Sequence, residues 1–193
     1  MPRRPEPERR DELAERLVDY VLEHGAAGFS LRPASRALGV STYALTYHFG
    51  SRDRIIAAAL AGAERRQREM VLTWAEDVLP SPGTLLRKYW KWALTDEGRR
   101  HQRLFFEVAS LAVAGPVSEA AVAAALAPAP WLELLRELLR PSGLRGRRLD
   151  DVATRMTATI TGLAFDVLVT GDARRTTRTL EAVAEEIDRI AAG

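Results

Sequence analysis

Residues 28–60 read GFSLRPASRALGVSTYALTYHFGSRDRIIAAAL, and this stretch decides how the front of the chain folds. Ser30 and Ser41 each precede a short run with helical spacing, and a serine hydroxyl there can accept a bond from a free N–H group of the first helical turn. Gly39 stands between the two runs, and glycine takes the left-handed conformation that ends a helix at little steric cost. The pattern therefore predicts two short helices joined by a tight turn.

The side chains of this motif separate into an inner and an outer set. The predicted inner positions are Ala34, Ala37, Leu38, Val40, Leu45 and Phe49. The second helix, residues 42 to 48, then presents Thr42, Tyr43, Thr46 and Tyr47 outward. Hydroxyls and aromatic rings suit base edges, thymine methyl groups and phosphates. Two helices, a glycine-containing turn and such an outer face are the layout of a DNA-reading helix-turn-helix.

The remainder of the chain also shows helical spacing, and no strand alternation persists. The predicted helices are 9–24 before the motif and 52–78, 84–96, 100–114, 117–127, 131–140, 149–170 and 173–192 after it. Gly98 is expected to break the chain, and Pro80-Ser81-Pro82-Gly83 to form a linker. We expect an all-α fold of about nine helices: a disordered arm (1–8), a three-helix DNA-binding domain (9–51) and a larger helical domain (52–193).

The last two predicted helices are joined only by Gly171-Asp172, a turn that requires an antiparallel hairpin. One wide face of this hairpin is apolar, and its residues are Val152, Met156, Ile160, Leu163, Val167, Leu180, Val183, Ile187 and Ile190. Pairing two hairpins into a four-helix bundle would bury this face and make a homodimer. Burial within the same chain is the alternative.

Composition excludes several classes of site. The chain has no cysteine, which excludes disulfides and thiolate metal sites. The N-terminus lacks the apolar stretch of a signal peptide, and no apolar run approaches the ~20 residues that span a bilayer, so we expect a cytoplasmic protein. Residues 1–68 hold 12 basic and nine acidic side chains, a weak indication that a polyanion binds the front of the chain.

The motif resembles that of the TetR family of one-component transcriptional regulators over about residues 9–60. The matching positions are Ser30, Arg32, Gly39, Val40, Ser41, Leu45, His48, Phe49 and Arg52. The sequence departs from the family pattern at four places. Ser35 replaces the usual small residue, Pro33 a common polar residue, and Arg52 the usual lysine. Thr46 stands where a phosphate-contacting tyrosine is usual, with Tyr47 one step along.

The resemblance implies DNA-binding roles for Ser30, Arg32, Ser41, Thr42, Tyr43, Thr46, Tyr47, His48 and Arg52. Arg32 would reach a guanine edge or a phosphate, and Thr42 and Tyr43 would face bases. Tyr47 and His48 would lie on or near the DNA backbone, with Arg52 on a phosphate. Two alternatives stay open: His48 is a packing residue, or the tyrosines are simply solvated.

The resemblance also implies a C-terminal body that binds a small effector. Large side chains expected at such a pocket are Trp74, Trp90, His101, Phe105, Phe106, Trp131, Met156 and Phe165. Glu107, Thr157, Thr161 and Asp166 would supply additional polar groups. An apolar or aromatic ligand fits this set, although aromatic residues at helical spacing also fill ordinary cores.

Together these features predict a DNA-binding transcriptional regulator, a repressor released from duplex operator DNA by a small ligand. We expect no cofactor, no metal and no enzyme activity, since the three histidines are far apart and no nucleophile elbow, P-loop or dinucleotide fingerprint occurs. Two other classes stay open. One is a helical lipid- or drug-binding protein without DNA activity, and the other is an architectural DNA binder without a ligand.

Overall fold

A computed structural model of the chain describes residues 6–75, 81–114, 127 and 129–193. Within these ranges the fold is all-α, as predicted, with nine α-helices and no strand. The helices are α1 (Glu6–His24), α2 (Leu31–Ala37), α3 (Thr42–Phe49), α4 (Arg52–Ala75), α5 (Pro82–Ala93), α6 (Asp96–Ala114), α7 (Ala129–Leu139), α8 (Gly146–Thr170) and α9 (Ala173–Ala192). A short 3₁₀ turn, Arg140–Ser142, follows α7.

Several predicted boundaries need correction. α1 begins at Glu6, so it occupies part of the expected arm. The expected linker is wrong over Ser81, Pro82 and Gly83, because Ser81 caps α5 and Pro82 opens it, while Pro80 lies outside the described residues. A proline at this position loses no intrahelical hydrogen bond. Residues 1–5, the end of the predicted helix 52–78 and nearly all of the predicted helix 117–127 lie outside the described residues.

The sequence suggested that Gly98 breaks the chain, but Gly98 lies inside α6. The absence of a side chain at this position has a packing reason. A Cβ atom there would lie 2.2 Å from the Trp92 carbonyl oxygen and 2.6 Å from the Ala93 Cα. The glycine therefore permits the end of α5 and the start of α6 to approach backbone to backbone.

The chain divides into two compact units. We call the first, which holds the chain up to Arg66 and the segment Arg103–Ala127, the N-terminal unit. It is larger than the predicted three-helix domain because α4 and α6 complete its core. Ile55, Ile56 and Leu60 of α4 and Leu104 and Val108 of α6 are buried in the same apolar cluster as Leu17 and Leu45.

The second, C-terminal unit holds Gln67–Gln102 and Pro128–Gly193. Here α9 packs along α5 and α8, and α7 packs on α8. The Asp188 carboxylate accepts a bond from the Gly83 N–H at 2.7 Å, and Arg87 donates to Glu181 at 2.6 Å. The start of α5, where a linker was expected, is thus fixed against the last helix.

By length and composition alone, α8 qualifies as a membrane-spanning helix, contrary to the sequence expectation. One such helix is weak evidence of a membrane span, since these criteria test only length and composition. α8 also carries charges engaged with α9: Arg155 pairs with Glu186 and Asp166 with Arg175. It lies between α7 and α9 as a packed helix of the C-terminal unit.

Candidate nucleic-acid interface

The corner between α2 and α3 forms as its sequence predicts. Gly39 has a φ of +66°, the left-handed conformation expected of it. The Val40 N–H donates to the Ser35 carbonyl at 2.9 Å and closes the turn. The Ser41 hydroxyl accepts a bond from the Ala44 N–H at 3.0 Å. Leu45 is completely buried, so it holds α3 against the core and fixes which face points outward.

The outer face of α3 is dominated by two tyrosines. Tyr43 is 74% exposed and Tyr47 is 62% exposed. Their rings lie 6.0 Å apart and nearly parallel, one helical turn from each other. Thr42 is exposed beside them. The face therefore presents phenolic and hydroxyl groups to solvent, although DNA contact itself stays a prediction.

Thr46 and His48 are less available than expected. The Thr46 hydroxyl lies 3.1 Å from the carbonyl oxygens of both Thr42 and Tyr43 and donates within the helix. Its proton is therefore engaged within α3. His48 is half-buried, and its ring makes edge contacts with Tyr47 at 5.1 Å and Phe49 at 6.3 Å. These contacts favour the packing alternative for His48.

At α2, two expectations are wrong in detail. Ser30 has the extended backbone of an N-cap residue, yet its hydroxyl caps no N–H group. Ala37 is exposed instead of facing inward, because Ala34 and Leu38 already fill the interior side. Arg32 is exposed and free to approach DNA.

Arg52 has an internal role that the sequence did not indicate. Its guanidinium donates to the carbonyl of Phe29 at 3.0 Å and of Ala26 at 3.3 Å. A third bond reaches the Asp53 carboxylate at 3.2 Å. Three donors are thus engaged within the chain, so the predicted phosphate contact would rely on what remains of the guanidinium's five N–H groups.

The charge around the motif suits a polyanion. No aspartate or glutamate occurs between Glu23 and Asp53, whereas Arg32, Arg36 and Arg52 all lie in this interval. A phosphate approaching α2 and α3 would therefore meet no carboxylate from the motif itself. This local signal was present in the sequence and is more specific than the total charge of the first 68 residues.

Glu107 was expected to supply a polar group to a ligand pocket, but the structure places it beside the DNA-binding motif. Its carboxylate accepts hydrogen bonds from the N–H groups of Ala26 at 2.5 Å and Ala27 at 3.2 Å. These residues form the turn between α1 and α2. No local pattern could have revealed this role, because the partners are about 80 residues apart in sequence.

Two other expected polar groups of a pocket, Asp166 and Thr157, are also engaged. Asp166 accepts two hydrogen bonds from Arg175, at 2.8 and 2.6 Å, and these bonds hold the pKa of its carboxyl below the usual value. The Thr157 hydroxyl donates to the Ala153 carbonyl at 3.0 Å, within its own helix. Neither residue is therefore set apart for a ligand.

The C-terminal unit contains a group of touching rings, which we call the ring cluster: Tyr89, Trp92, His101 and Trp131. Tyr89 lies edge-on to Trp92 at 5.3 Å and to Trp131 at 5.8 Å, and Trp92 lies 5.3 Å from His101. The Trp92 Nε1 atom is fully buried and has no hydrogen-bond partner among the described residues. A buried donor of this kind is uncommon in native proteins.

Comparisons with known proteins agree on the fold. No family model matches the chain. Helix-turn-helix transcriptional regulators of Mycobacterium bovis and Mycobacterium tuberculosis are 29% identical over 103 residues, covering 47% of this chain and 42% of theirs. The chain thus spans about two fifths of the length of these curated relatives.

Solved structures match over nearly the whole chain. A protein from a Rhodococcus species assigned to the TetR family superimposes with a TM-score of 0.71 at 22% identity, covering 96% of this chain and 99% of that one. The multidrug binding protein EbrR, solved with imidazole, gives 0.70 at 25% identity, with coverages of 97% and 93%. The protein has the TetR fold. The resemblance predicted from the sequence is confirmed.

The TetR fold does not gather the expected pocket residues into one set. His101 and Trp131 belong to the ring cluster, whereas Trp90 is 2% exposed and donates from Nε1 to the Thr177 hydroxyl at 2.9 Å. Met156 is buried in α8, and Phe165 is 54% exposed. Of the remaining three, Trp74 lies against Lys88, Phe105 packs on the core of the N-terminal unit, and Phe106 contacts Phe105.

The sequence signal for the ring cluster was only partly assigned to the right residues. Residues 88–92 read KYWKW, with rings on more than one face of α5, and this crowding also suggests a cavity nearby. The expected pocket residues include His101 and Trp131 of the ring cluster, but they also include Trp90, which is core. Spacing alone does not tell which ring faces a neighbouring helix, since that depends on how α5 is rotated against α9.

The predicted dimer face also needs correction. Val152, Met156, Val167, Leu180 and Ile187 are buried within the single chain of this TetR fold, so they offer no surface to a partner. Ile160, Leu163, Val183 and Ile190 are only partly buried. The large apolar side chains that α8 does expose are Phe165 and Val169, the latter at 68%.

Proposed function

We propose that this TetR-fold protein is a sequence-specific, DNA-binding transcriptional regulator that acts in the cytoplasm as a repressor. One observation carries the proposal. The buried Leu45 and the capped corner at Gly39–Ser41 hold α3 so that Tyr43 and Tyr47 face solvent. A helix held outward in this way can enter the major groove, where hydroxyl and aromatic groups contact base edges and phosphates.

Recognition of an operator in this proposal requires two copies of the chain. One reading helix covers only a few base pairs, and a dimer places two in successive major grooves about 34–36 Å apart. The exposed side chains of Phe165 and Val169 support α8 as the dimer surface, with Ala158 and Gly162 on the same helical face. Only 28% of the apolar stretch of α8 is buried within the single chain.

A small ligand would release the repressor from DNA. The ring cluster is the candidate effector site, since planar rings stack on aromatic side chains and the buried Trp92 Nε1 can donate to an acceptor on the ligand. EbrR has been solved with imidazole and with proflavin, both planar nitrogen heterocycles. A ligand that prefers one conformation of the dimer would lower DNA affinity by its differential affinity for the two conformations.

The DNA-binding part of the proposal is tested by selecting duplexes from a randomised library with the wild-type protein. We expect a palindromic duplex to be enriched and bound with strong salt dependence. The double variant T42A/Y43A should bind this duplex at least about tenfold more weakly, because contacts to base edges contribute about 1–3 kcal/mol each. Fluorescence anisotropy of the labelled duplex measures both affinities.

The matched control is L72A, which also trims an exposed side chain but on α4. It should bind DNA like the wild type. If T42A/Y43A matches the wild type, the reading helix is wrongly assigned. If no duplex is enriched, the proposed sequence-specific binding fails, and salt-dependent binding to an arbitrary duplex then separates an architectural DNA binder from a helical ligand-binding protein without DNA activity.

The effector site is tested with acridine, a planar heterocycle that is neutral at pH 7.5 and carries one ring-nitrogen acceptor. W92F keeps an aromatic ring but removes the N–H donor, so acridine binding should weaken about tenfold. W74F removes a tryptophan outside the ring cluster and should bind acridine like the wild type. Equal binding by all three proteins in a calorimetric titration would exclude the ring cluster as the site.

A further inference from the structure

The turn between α1 and α2 is held by side chains from two distant helices. Glu107 of α6 accepts hydrogen bonds from the N–H groups of Ala26 and Ala27. Arg52 of α4 donates to the carbonyls of Ala26 and Phe29. A carboxylate thus binds the donors of the turn and a guanidinium binds its acceptors, so both kinds of backbone group are satisfied by opposite charges.

The approach of Glu107 depends on a glycine. Gly25 ends α1 with a φ of +79°, and its N–H donates to the Val21 carbonyl at 2.8 Å. A Cβ atom on Gly25 would lie 2.9 Å from Glu107 Oε2 and 3.1 Å from Oε1. The bare Cα therefore leaves the space into which the carboxylate fits while it reaches the next two N–H groups.

The segment between the α1–α2 turn and α3 is short, and both of its ends are packed against α1. Phe29 at the end of the turn is buried, and its ring meets Tyr20 of α1 edge-on at 6.2 Å. α2 follows at once, and Arg16 of α1 donates to the Leu38 carbonyl at its far end, at 2.5 Å. Because α2 is held at both ends, the position of the α1–α2 turn fixes the direction of α3.

From this arrangement we infer that Glu107 is a positioning residue for DNA reading. Its carboxylate fixes the α1–α2 turn to α6 and thereby sets the direction in which α3 presents Tyr43 and Tyr47. The inference rests on the proposed DNA-binding function. It adds a residue that touches no DNA but decides how well the reading helix fits the groove.

The test compares E107A, E107Q and the control E97A, which removes an exposed carboxylate from the first turn of the same helix. In E107A, the amides of Ala26 and Ala27 should exchange hydrogen at least about tenfold faster, since they lose their acceptor. Affinity for the selected duplex should fall about tenfold, whereas affinity for a scrambled duplex should stay at the wild-type value. E107Q should recover most of both losses because its amide oxygen can still accept, and E97A should behave as wild type.

A purely structural role predicts a different result. E107A would then unfold at a lower temperature but keep the wild-type ratio of selected to scrambled affinity well below its midpoint, and this result would overturn the inference. E107Q behaving like E107A would also overturn it, because a retained acceptor would then make no difference. If E107A fails to fold, E107D takes its place: its shorter side chain withdraws the acceptor from the Ala26 and Ala27 N–H groups, so the same losses are expected and their absence would overturn the inference.

The two proposals fail in distinguishable ways. If the wild type discriminates no duplex, the proposed function fails. Amide exchange then still reports on the turn: protection in the wild type and in E107Q but not in E107A establishes the attachment to α6. Equal exchange in all variants shows that Glu107 does not hold the turn.

Discussion

The outer faces of α3 and α8 are both exposed, both carry large side chains, and differ in chemistry. Tyr43 and Tyr47 on α3 each end in a hydroxyl, whereas Phe165 and Val169 on α8 have no polar atom in their side chains. A surface that keeps hydrogen-bond donors suits a hydrated, charged partner such as DNA. A surface without donors is stabilised by covering it with another apolar surface. Exposure alone therefore does not define an interface, and the side-chain atoms indicate the kind of partner.

The largest effect is expected from placing charge on the α8 face. F165E/V169E should weaken the dimer at least about 100-fold, since two carboxylates would have to lose their water in the interface. Sedimentation velocity measures the change, and weaker binding to a palindromic duplex should accompany it. V113E alters a side chain that is 89% exposed on α6 and serves as the control.

An unchanged dimer in F165E/V169E would remove the distinction between the two faces. The α8 face would then be ordinary exposed surface, and the partly buried residues of the hairpin, such as Leu163 and Val183, would have to form any dimer contact.

A smaller effect is expected from making the α3 face resemble the α8 face. Y43F/Y47F keeps both rings and removes both hydroxyls, so affinity for a selected duplex should fall at least about fivefold, because the two lost hydrogen bonds contribute about 0.5–1.5 kcal/mol each. The dimer should be unaffected, which sedimentation under the same conditions checks. Wild-type DNA affinity in this variant would show that the rings act by packing. The hydroxyl groups that distinguish the α3 face from the α8 face would then have no role in DNA binding.

The helix-turn-helix was predictable because its determinants are local. Gly39, Ser41 and Leu45 lie within seven residues, and each acts through backbone conformation or burial that one short segment completes. The same local reasoning failed for Ser30, whose hydroxyl makes no cap. Serine has the right chemistry for a cap, but the rotamer it takes is decided by the surrounding structure.

Long-range roles could not be predicted in this way. Periodicity identified apolar faces on α8 and α9 but not which neighbour covers them, so Val152, Leu180 and Ile187 were assigned to a partner although their own chain buries them. The prediction of the pocket residues was partly wrong for a related reason. The way α5 packs against its neighbouring helices decides that Trp90 is core and that Trp92 meets His101.

The sequence by itself determined the all-α class, the corner at Gly39–Ser41 and the outward face of α3, because capping, glycine conformation and helical spacing act within a few residues. Only the tertiary structure decided that Glu107 and Arg52 hold the α1–α2 turn and that Phe165 lies on the surface. These roles depend on contacts between residues far apart in sequence, and such contacts exist only after the helices have packed.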